Sequence, residues 1–295
     1  MQFGVHLLGL GRRASVEDFI AAAQAAEELG YHSVWINDHV VIPTRFSSQY
    51  PYSTDGRPSF TPDDSFYDPF VLLAAVASQT KTIKLGTSVV VIPHRPPILT
   101  AKAVTTLDVI SKGRFIFGLG VGWFAEELEV LGVSYKDRAT ISRAYLDTMK
   151  ALWTESRLQL TNTAGQSVEV GFAPKPVQKP YPPLWFGGES HPALRRVAQQ
   201  GDGWFPAFIS PEEFAVKAGE LKQLCAAEGR DFASLTICVF SPNRAHATLD
   251  AIRIYRQHGA SIMLAPLGNP NLNEFIAQMQ QFRDEVMEPA RDLST

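Results

Sequence analysis

The chain has 295 residues, of which 45% are hydrophobic and 19% charged, and its formal net charge is −3. Scattered lysines and arginines under a slight negative excess argue against nucleic acid or an anionic membrane as the main partner. The longest apolar run, residues 70–77, is too short to cross a bilayer, and we expect no signal peptide. The two cysteines lack paired spacing and the seven histidines lack a metal-binding pattern, so we expect a cytoplasmic protein that binds no metal.

Short apolar runs alternate with helical patterns along the chain. We predict strands at residues 3–8, 34–37, 83–91, 115–120, 184–186, 203–205, 236–240 and 261–264. Helix starts are marked by a capping box at Ser15, by Asp68 before a proline, and by Ser210 before a proline. Strands and helices in this alternation predict an α/β fold, a (β/α)8 TIM barrel, and we expect residues 1–295 to form a single domain.

Three connections are longer than a barrel needs. Residues 40–67 and 121–135 follow strands, so we expect them on the ligand-binding face as lids. Residues 158–183 contain a predicted hairpin and a proline-rich return, and the pattern leaves open which face they occupy. Aromatic side chains are frequent in the first connection: Phe46, Tyr50, Tyr52, Phe60, Phe66 and Tyr67.

Asn37, Asp38 and His39 follow the second predicted strand directly. Ligands of parallel barrels bind at the carboxyl ends of strands, and an imidazole there can exchange a proton near neutral pH. We predict that His39 is the catalytic acid or base and that Asp38 orients it. Alternation along the strand turns Asn37 the other way, into the scaffold.

A second pattern imitates a dinucleotide-binding fold. The segment Gly9-Leu-Gly-Arg-Arg-Ala14 follows the first strand, and Asp38 ends the second about 20 residues later. However, the capping box at Ser15 starts the helix after the motif, whereas a Rossmann fold places the third small residue inside the helix. We therefore favour a simple turn at the barrel mouth.

Glycines are concentrated at the ends of the third to fifth strands. Gly86, Gly118, Gly120 and Gly122 remove side chains there, which would let a flat ring approach the backbone. After the fifth strand, the segment Gly187-Gly-Glu-Ser190 opens a helix whose N–H groups can hold an anion. Arg138, at the start of another helix, can add a positive charge.

At this point the sequence resembles a family. The segments AAEELGYHSVWINDHV, KLGTSVVVIPHRPP, TTLDVISKGRFIFGLGVGWFAEELEVLGV and PKPVQKPYPPLWFGGESHPALRRVAQQGDGW resemble the bacterial luciferase-like superfamily. The resemblance is greatest to its branch of oxidoreductases that use coenzyme F420, a deazaflavin. It implies a TIM barrel with a flavin or deazaflavin ring across its mouth, and often a homodimer.

The resemblance also implies roles for individual residues. Asp38 and His39 match the pair that faces the reactive edge of the ring, and Ser88 and Val89 match a bulge, often with a non-proline cis bond, that backs the ring. The resemblance assigns the rest of the cofactor site to Gly120 and Gly122 near the ring, to Gly187 and Gly188 at its tail, and to Arg138, Glu189 and Ser190 at a phosphate.

One position departs from the sugar-phosphate dehydrogenases of that branch. Trp123 stands where they have a catalytic glutamate, so a sugar-phosphate substrate is disfavoured. We place Trp123 and Tyr67 in the substrate pocket, which predicts an apolar or aromatic substrate. We expect Glu126, Glu127 and Glu129 to form a solvated helix face.

Three functions follow from these patterns. The first is hydride transfer between coenzyme F420 and a small organic molecule, with His39 moving the matching proton. The second is an FMN-dependent monooxygenase supplied with reduced flavin by a separate reductase. The third comprises the less favoured alternatives, a barrel that binds flavin without catalysis and an NAD(P)-dependent Rossmann dehydrogenase.

Overall fold

A computed structural model describes residues 1–11 and 13–291. Arg12, within the glycine motif at residues 9–14, lies outside the described residues. The strands are β1 (Gln2–His6), β2 (Ser33–Ile36), β3 (Lys84–Thr87), β4 (Val90–Val91), β5 (Phe115–Gly120), β6 (Leu158–Thr161), β7 (Ser167–Val170), β8 (Leu184–Gly187), β9 (Gly203–Phe205), β10 (Thr236–Phe240) and β11 (Ile262–Ala265). The α-helices are α1 (Val16–Glu28), α2 (Pro69–Gln79), α3 (Pro97–Ile110), α4 (Ala125–Val130), α5 (Arg138–Thr154), α6 (His191–Gln200), α7 (Pro211–Ala227), α8 (Leu249–Gln257), α9 (Leu272–Phe282) and α10 (Glu288–Arg291).

The parallel strands close into a barrel. β1 pairs with both β2 and β11, and the circuit continues through β10, β9, β8 and β5 back to β3. β3 and β4 form a single barrel strand that is interrupted at Ser88, so the closed sheet has eight strands, as the sequence predicts. Closure rules out the open, doubly wound sheet of a Rossmann fold, so the motif at residues 9–14 is not a dinucleotide fingerprint.

Large apolar side chains fill the barrel interior. Trp35 of β2 and Trp185 of β8 stack there with ring centroids 5.2 Å apart. A Cβ on Gly86 would overlap the Trp35 ring, and a Cβ on Gly203 would lie 2.6 Å from Trp185. These glycines therefore make room for tryptophans, and the expectation that Gly86 admits a cofactor ring is wrong.

The helices begin where local chemistry favours them. Ser15 and Ser210 both form complete capping boxes, and the Asp68 side chain accepts the N–H groups of Phe70 and Val71. Each of the three predicted helix starts is confirmed. No helix within the described residues is long and apolar enough to cross a membrane.

The long connections divide between the two ends of the barrel. Residues 40–67 and 121–135 lie at the carboxyl ends of β2 and β5, where both contribute to a large cavity. β6 and β7 form the predicted antiparallel hairpin between the end of α5 and the start of β8. Because the hairpin leads into the start of β8, it lies towards the amino ends of the barrel strands, opposite the cavity.

Candidate active site

A cavity of about 820 Å³ opens at the carboxyl ends of the barrel strands. Its walls come from strand ends, from the connection at residues 40–67 and from the start of α5. The predicted site residues in its lining are Asp38, His39, Ser88, Val89, Gly120, Gly122, Trp123, Arg138, Gly187, Gly188, Glu189 and Ser190. Tyr67 was also assigned to the site from the sequence, but it does not line the cavity.

The floor of the cavity is built around Val89. The Ser88–Val89 peptide bond is cis, as the resemblance implies, and it lies between β3 and β4, where the third barrel strand is interrupted. A Cβ on Gly120 would lie 2.9 Å from Val89 Cγ2, and a Cβ on Gly187 would lie 3.1 Å from Cγ1. The two glycines therefore accommodate the valine side chain, which presents an apolar surface to anything flat that binds above it.

His6 is a cavity residue that the sequence reasoning overlooked. Its Nε2 lies 2.9 Å from Ser88 Oγ, and its ring stacks on Phe240 with centroids 5.0 Å apart. Burial lowers the pKa of His6 to about 4, so the imidazole is neutral at pH 7. Its place at the carboxyl end of β1 was the available signal, because the rule that singled out His39 applies equally there.

His39 is held by a carboxylate from α4. Its Nδ1 lies 2.7 Å from Oε2 of Glu127, a side chain that is only 1% exposed. Oε1 of the same carboxylate accepts the Val40 and Val41 N–H groups at 2.7 and 3.3 Å. Glu127 thus fixes both the imidazole and the backbone that follows it, so the expectation of a solvated glutamate is wrong.

Asp38 serves a different partner. Both of its oxygens accept from the Arg95 guanidinium, at 2.8 and 2.9 Å, and one also accepts the Val91 N–H. Although burial alone would raise the pKa of Asp38, the facing His94 and Arg95 lower it to about 2. The prediction that Asp38 orients His39 is therefore corrected, since Glu127 has that position and Asp38 ties the start of α3 to the end of β2.

His94 lies between the two carboxylates. Its Nδ1 is 3.7 Å from Asp38 Oδ2 and its Nε2 is 3.9 Å from Glu127 Oε2, and its side chain is 1% exposed. Neither His94 nor Arg95 lines the cavity. Both belong to the layer beneath the site, where His94 is buried and Arg95 is partly exposed.

Aromatic rings form the outer wall. Tyr50 packs against Trp123 with centroids 5.1 Å apart, and Tyr52 stacks on Phe208 at 4.9 Å. Trp123 also stacks on buried Phe124 at 4.6 Å, so its orientation is fixed. Phe60 covers the His39 ring at 4.8 Å.

Tyr67 lies outside this wall. Its ring packs on Phe19 of α1 at 5.9 Å, and its hydroxyl donates to the Ala14 carbonyl at 3.3 Å. The assignment of Tyr67 to the substrate pocket is therefore wrong. It anchors the end of the long connection to α1.

Glu126 fastens the same connection to α4. Its carboxylate accepts the Ser47 N–H at 2.5 Å and the Ser48 hydroxyl at 2.6 Å. These hydrogen bonds, with others from the same two serines, lower the pKa of Glu126 to about 2 despite the opposing effect of burial. The two neighbouring glutamates of α4 therefore hold two parts of one lid.

The far end of the cavity suits an anion. Ser190 caps α6, its side chain accepting the Ala193 N–H, and Gly188 before it has a φ of 100°. Arg138 is held by the carbonyls of Gly122 and Tyr135 and lies over the Tyr135 ring. Arg196 also lines this end. It could not be predicted, because in the sequence it is only the second of two adjacent arginines in α6.

Glu189 is occupied by protein groups. Its side chain accepts the Ala207 N–H at 2.7 Å and the Tyr52 hydroxyl at 3.3 Å. Burial raises its pKa, against the opposing effect of these hydrogen bonds. Any contact between Glu189 and an anion would thus come from its backbone rather than from its carboxylate.

These features fit a flat ring with an anionic tail. The apolar Val89 surface suits the ring, and the α6 start with two arginines suits the tail. In contrast, no cluster of three or more metal-ligating side chains occurs in residues 1–11 and 13–291. The lining therefore suits an organic molecule with a flat ring and an anionic group.

Comparison with known proteins specifies the class. Residues 1–291 match the luciferase-like monooxygenase family, and the chain belongs to that family. Since its members are F420- or FMN-dependent oxidoreductases and monooxygenases, the chain is an enzyme.

Two relatives illustrate the sequence similarity. An uncharacterized protein of Mycobacterium tuberculosis is 35% identical over 219 residues, which cover 72% of this chain and 74% of that protein. An F420-dependent glucose-6-phosphate dehydrogenase of Amycolatopsis mediterranei is 27% identical over 209 residues, covering 67% of this chain and 57% of that protein.

Solved structures share the fold at low identity. A monooxygenase from Streptomyces bottropensis superposes with a TM-score of 0.76 at 18% identity, covering 98% of this chain and 99% of that one. An F420-dependent secondary alcohol dehydrogenase gives 0.74 at 17%, covering 99% of both chains. A type II Baeyer-Villiger monooxygenase of Pseudomonas putida, in complex with FMN, gives 0.74 at 14%, covering 97% of both chains.

Proposed function

We propose that this enzyme transfers hydride between coenzyme F420 and a small, apolar or aromatic organic substrate. The observation that carries the proposal is His39, which is fixed by a buried glutamate beside an apolar floor, with an anion site at the other end of the cavity. The F420-dependent relatives support this cofactor. A homodimer and a cytoplasmic location stay predictions.

In this proposal His39 moves the proton. Because a carboxylate only accepts hydrogen bonds, the Nδ1–H donates to Glu127 and leaves Nε2 as the nitrogen that faces the substrate. Protonated there, His39 supplies a proton to the oxygen or nitrogen that becomes basic when the substrate accepts hydride, and in the reverse direction it removes that proton.

The cofactor contributes the two-electron step. Bound reduced deazaflavin supplies a hydride equivalent, and the chain supplies its orientation. The Val89 side chain would support the ring, and the Arg138 and Arg196 guanidinium groups with the α6 start would hold the phosphate.

The aromatic wall selects the substrate. Tyr50, Tyr52, Phe60 and Trp123 line the cavity. Such walls exclude water and favour apolar surfaces over sugar phosphates. We therefore expect ketones, imines or activated alkenes with ring systems or alkyl chains.

A second candidate is an FMN-dependent monooxygenase that receives reduced flavin from a separate reductase. It is favoured by the monooxygenases among the structures of the same fold and by the complex of one with FMN. The anion site at α6 would hold the FMN phosphate in the same manner. Under this alternative the same cavity would exclude water around an oxygen-transfer reaction.

Equilibrium titration of the purified protein separates the candidates. Coenzyme F420, FMN and NADPH are each added while their fluorescence and that of the tryptophans are recorded. We expect F420 to bind with a Kd of about 1 μM, which corresponds to about −8 kcal/mol, and FMN to bind more weakly. Binding of FMN alone would replace the proposal with the monooxygenase, and binding of NADPH alone would overturn both.

A further inference from the structure

Phe208, between β9 and α7, has a backbone conformation that phenylalanine rarely adopts. Its φ is 56°, in the left-handed region that favours glycine. Its side chain is 39% exposed and lines the mouth cavity. A bulky residue keeps such a conformation only where the surrounding structure imposes it, and residues of this kind are concentrated at ligand clamps and switches. The ring of Phe208 is therefore held in place by the rest of the protein and not by its own backbone preference.

Hydrogen bonds fix the backbone around Phe208. Its N–H donates to the Phe240 carbonyl at 2.7 Å, and the Phe240 N–H donates to the Pro206 carbonyl at 2.9 Å. The N–H of Ala207 donates to Glu189, which follows β8, at 2.7 Å. The Phe240 ring also meets the Phe208 ring edge-on, with centroids 5.4 Å apart. Residues 206–208 are thus tied to the ends of both neighbouring strands, β8 and β10.

The Phe208 ring joins these strand ends to the lid, residues 40–67. It stacks on Tyr52 of the lid with centroids 4.9 Å apart and ring planes 22° apart. The Tyr52 hydroxyl donates to Glu189 at 3.3 Å, and the same carboxylate accepts the N–H of Ala207. A ring stack and a shared carboxylate therefore fasten the lid to the connection that follows β9.

The lid reaches this contact from the opposite side of the barrel. It leaves β2, and four steps around the closed sheet lead from β2 to β9 in either direction when β3 and β4 are counted as one strand. One of these routes passes the strand ends that carry Val89, Gly120 and Gly187. The apolar floor at Val89 therefore lies in the half of the mouth that the lid borders, between its base at β2 and its contact with Phe208.

We propose that Phe208 and Tyr52 form a clasp that must open before a flat ring can reach Val89 or leave it. The proposal rests on the proposed function for the ligand that passes, the deazaflavin ring of coenzyme F420. Because the same stack must open for entry and for release, it slows both steps to a similar extent and leaves the affinity nearly unchanged.

Stopped-flow mixing with coenzyme F420 tests the clasp, with the fluorescence of the cofactor as the signal. Phe208→Gly removes the ring and keeps the backbone, since glycine adopts a φ of 56° without strain. We expect the rate constants of this variant for binding and for release both to be about fivefold higher than those of the wild type, the factor that one aromatic pair contributes. The Kd should stay nearly the same.

Two control variants separate the ring from the backbone change. Phe208→Tyr keeps a ring that can stack on Tyr52 and should retain the wild-type rates. Lys112→Gly makes the matching backbone change between α3 and β5, because Lys112 also has a φ of 56°. Since Lys112 does not line the mouth cavity, this variant should retain the wild-type rates too.

Acrylamide quenching of tryptophan fluorescence tests the clasp without any ligand. Four of the five tryptophans are buried, and the partly exposed one is Trp123, which packs on Tyr50 of the lid. Release of the lid exposes Trp123 further, so we expect a larger quenching constant for Phe208→Gly than for the wild type. The quenching constant of Lys112→Gly should equal that of the wild type.

The outcomes separate the clasp from the proposed function. Unchanged rates in Phe208→Gly, or a weaker affinity at an unchanged rate of binding, would overturn the clasp and leave the proposed function standing. Failure of F420 to bind the wild type would overturn the proposed function, and the quenching comparison would then decide on the clasp. Equal quenching of the wild type and Phe208→Gly would overturn the clasp in either case.

Discussion

At the scale of residues, two buried carboxylates near the end of β2 have separate tasks. Glu127 holds the His39 imidazole and the two amides after it, and Asp38 neutralises Arg95. The two tasks have different requirements. A catalytic histidine needs a fixed tautomer, whereas the ion pair beneath the site needs only permanent charges. We therefore propose that His39 takes part in the chemistry and that Asp38 contributes to stability.

Replacing His39 tests its role in proton transfer. We expect His39→Ala to lower turnover at least tenfold with unchanged cofactor affinity, since a positioned acid or base contributes about 10²–10⁴-fold. Turnover is followed as oxidation of reduced F420 with an acceptor that the wild type reduces. His258→Ala, at an exposed position after α8, is the matched control and should retain wild-type turnover.

Glu127→Gln provides the companion variant. The amide can still accept the Val40 N–H but offers His39 a donor in place of an acceptor, so the imidazole must adopt the other tautomer. Nitrogen-15 NMR of labelled histidine reports the tautomer directly. Retention of the Nδ1–H tautomer in this variant would contradict the assigned role of Glu127.

Asp38→Asn should affect stability instead. We expect a loss of about 3 kcal/mol in the free energy of unfolding, because Arg95 keeps its charge and loses a buried partner. Urea denaturation measures it, and Asp63→Asn, a change on the exposed part of the connection, should be nearly neutral.

The ionisation of Asp38 predicts that the free energy of unfolding depends on pH. The pKa of Asp38 is lowered from 3.8 to about 2 on folding, so its contribution is complete above about pH 4 and is lost as the pH falls towards 2. Between pH 5 and pH 2 the free energy of unfolding should fall more in the wild type than in Asp38→Asn, because the variant has already lost the contribution of this carboxylate. Parallel curves for the two proteins would contradict this assignment.

The site residues at strand ends could be predicted from the sequence, but the helix residues that lie beside them could not. His39, Ser88 and Gly187 follow buried strands, and that rule fixes where a residue lies along the barrel axis. Glu127 and Arg196 lie on helices, and only the closed fold brings them to the mouth. A run of three acidic residues in a short helix looks solvated until its neighbours are known.

At the scale of elements, the short helix α4 fastens the lid formed by residues 40–67. Glu126 binds the backbone and hydroxyls of Ser47 and Ser48, and Glu127 binds the lid where it leaves β2. Phe46 of the lid also packs on Phe124 at the start of α4. Since Tyr50, Tyr52 and Phe60 line the cavity from the same lid, its attachment controls the shape of the substrate wall.

Releasing this attachment should loosen the lid. We expect Glu126→Ala to raise the KM for substrate several-fold with a smaller change in kcat, since the wall is displaced and the His39 contact to Glu127 is kept. Limited digestion with trypsin should cleave after Arg45 faster than in the wild type. Glu129→Ala, at an exposed position of α4, is the control, and equal cleavage in the two variants would count against the attachment.

At the scale of the whole molecule, the barrel is a packed core that carries its site at one end. Trp35, Trp185 and Phe205 occupy the interior, with glycines at the positions their rings approach. The alternation of strands and helices was sufficient to predict this architecture. The same alternation could not predict the interior. Some glycines face a tryptophan and others face the cavity, and the difference depends on the register between strands that are far apart in sequence.

The packing around Trp35 gives a prediction for the fold. Gly86→Ala places a methyl group against the Trp35 ring, so we expect a loss of about 1–3 kcal/mol in the free energy of unfolding. Gly219→Ala, in α7 with nothing within 4 Å of the added Cβ, should instead stabilise by about 0.5–1 kcal/mol. Thermal denaturation that ranks the two variants in the opposite order would refute the packing argument.

We propose that a deazaflavin ring lies on Val89 with its reactive edge towards His39. A crystal structure of the complex with coenzyme F420 measures this directly. We expect the ring over the Ser88–Val89 peptide, His39 Nε2 within hydrogen-bonding reach of the space above the reactive carbon of the ring, and the phosphate at the start of α6. A ring bound away from Val89, or with its reactive edge turned from His39, would contradict it.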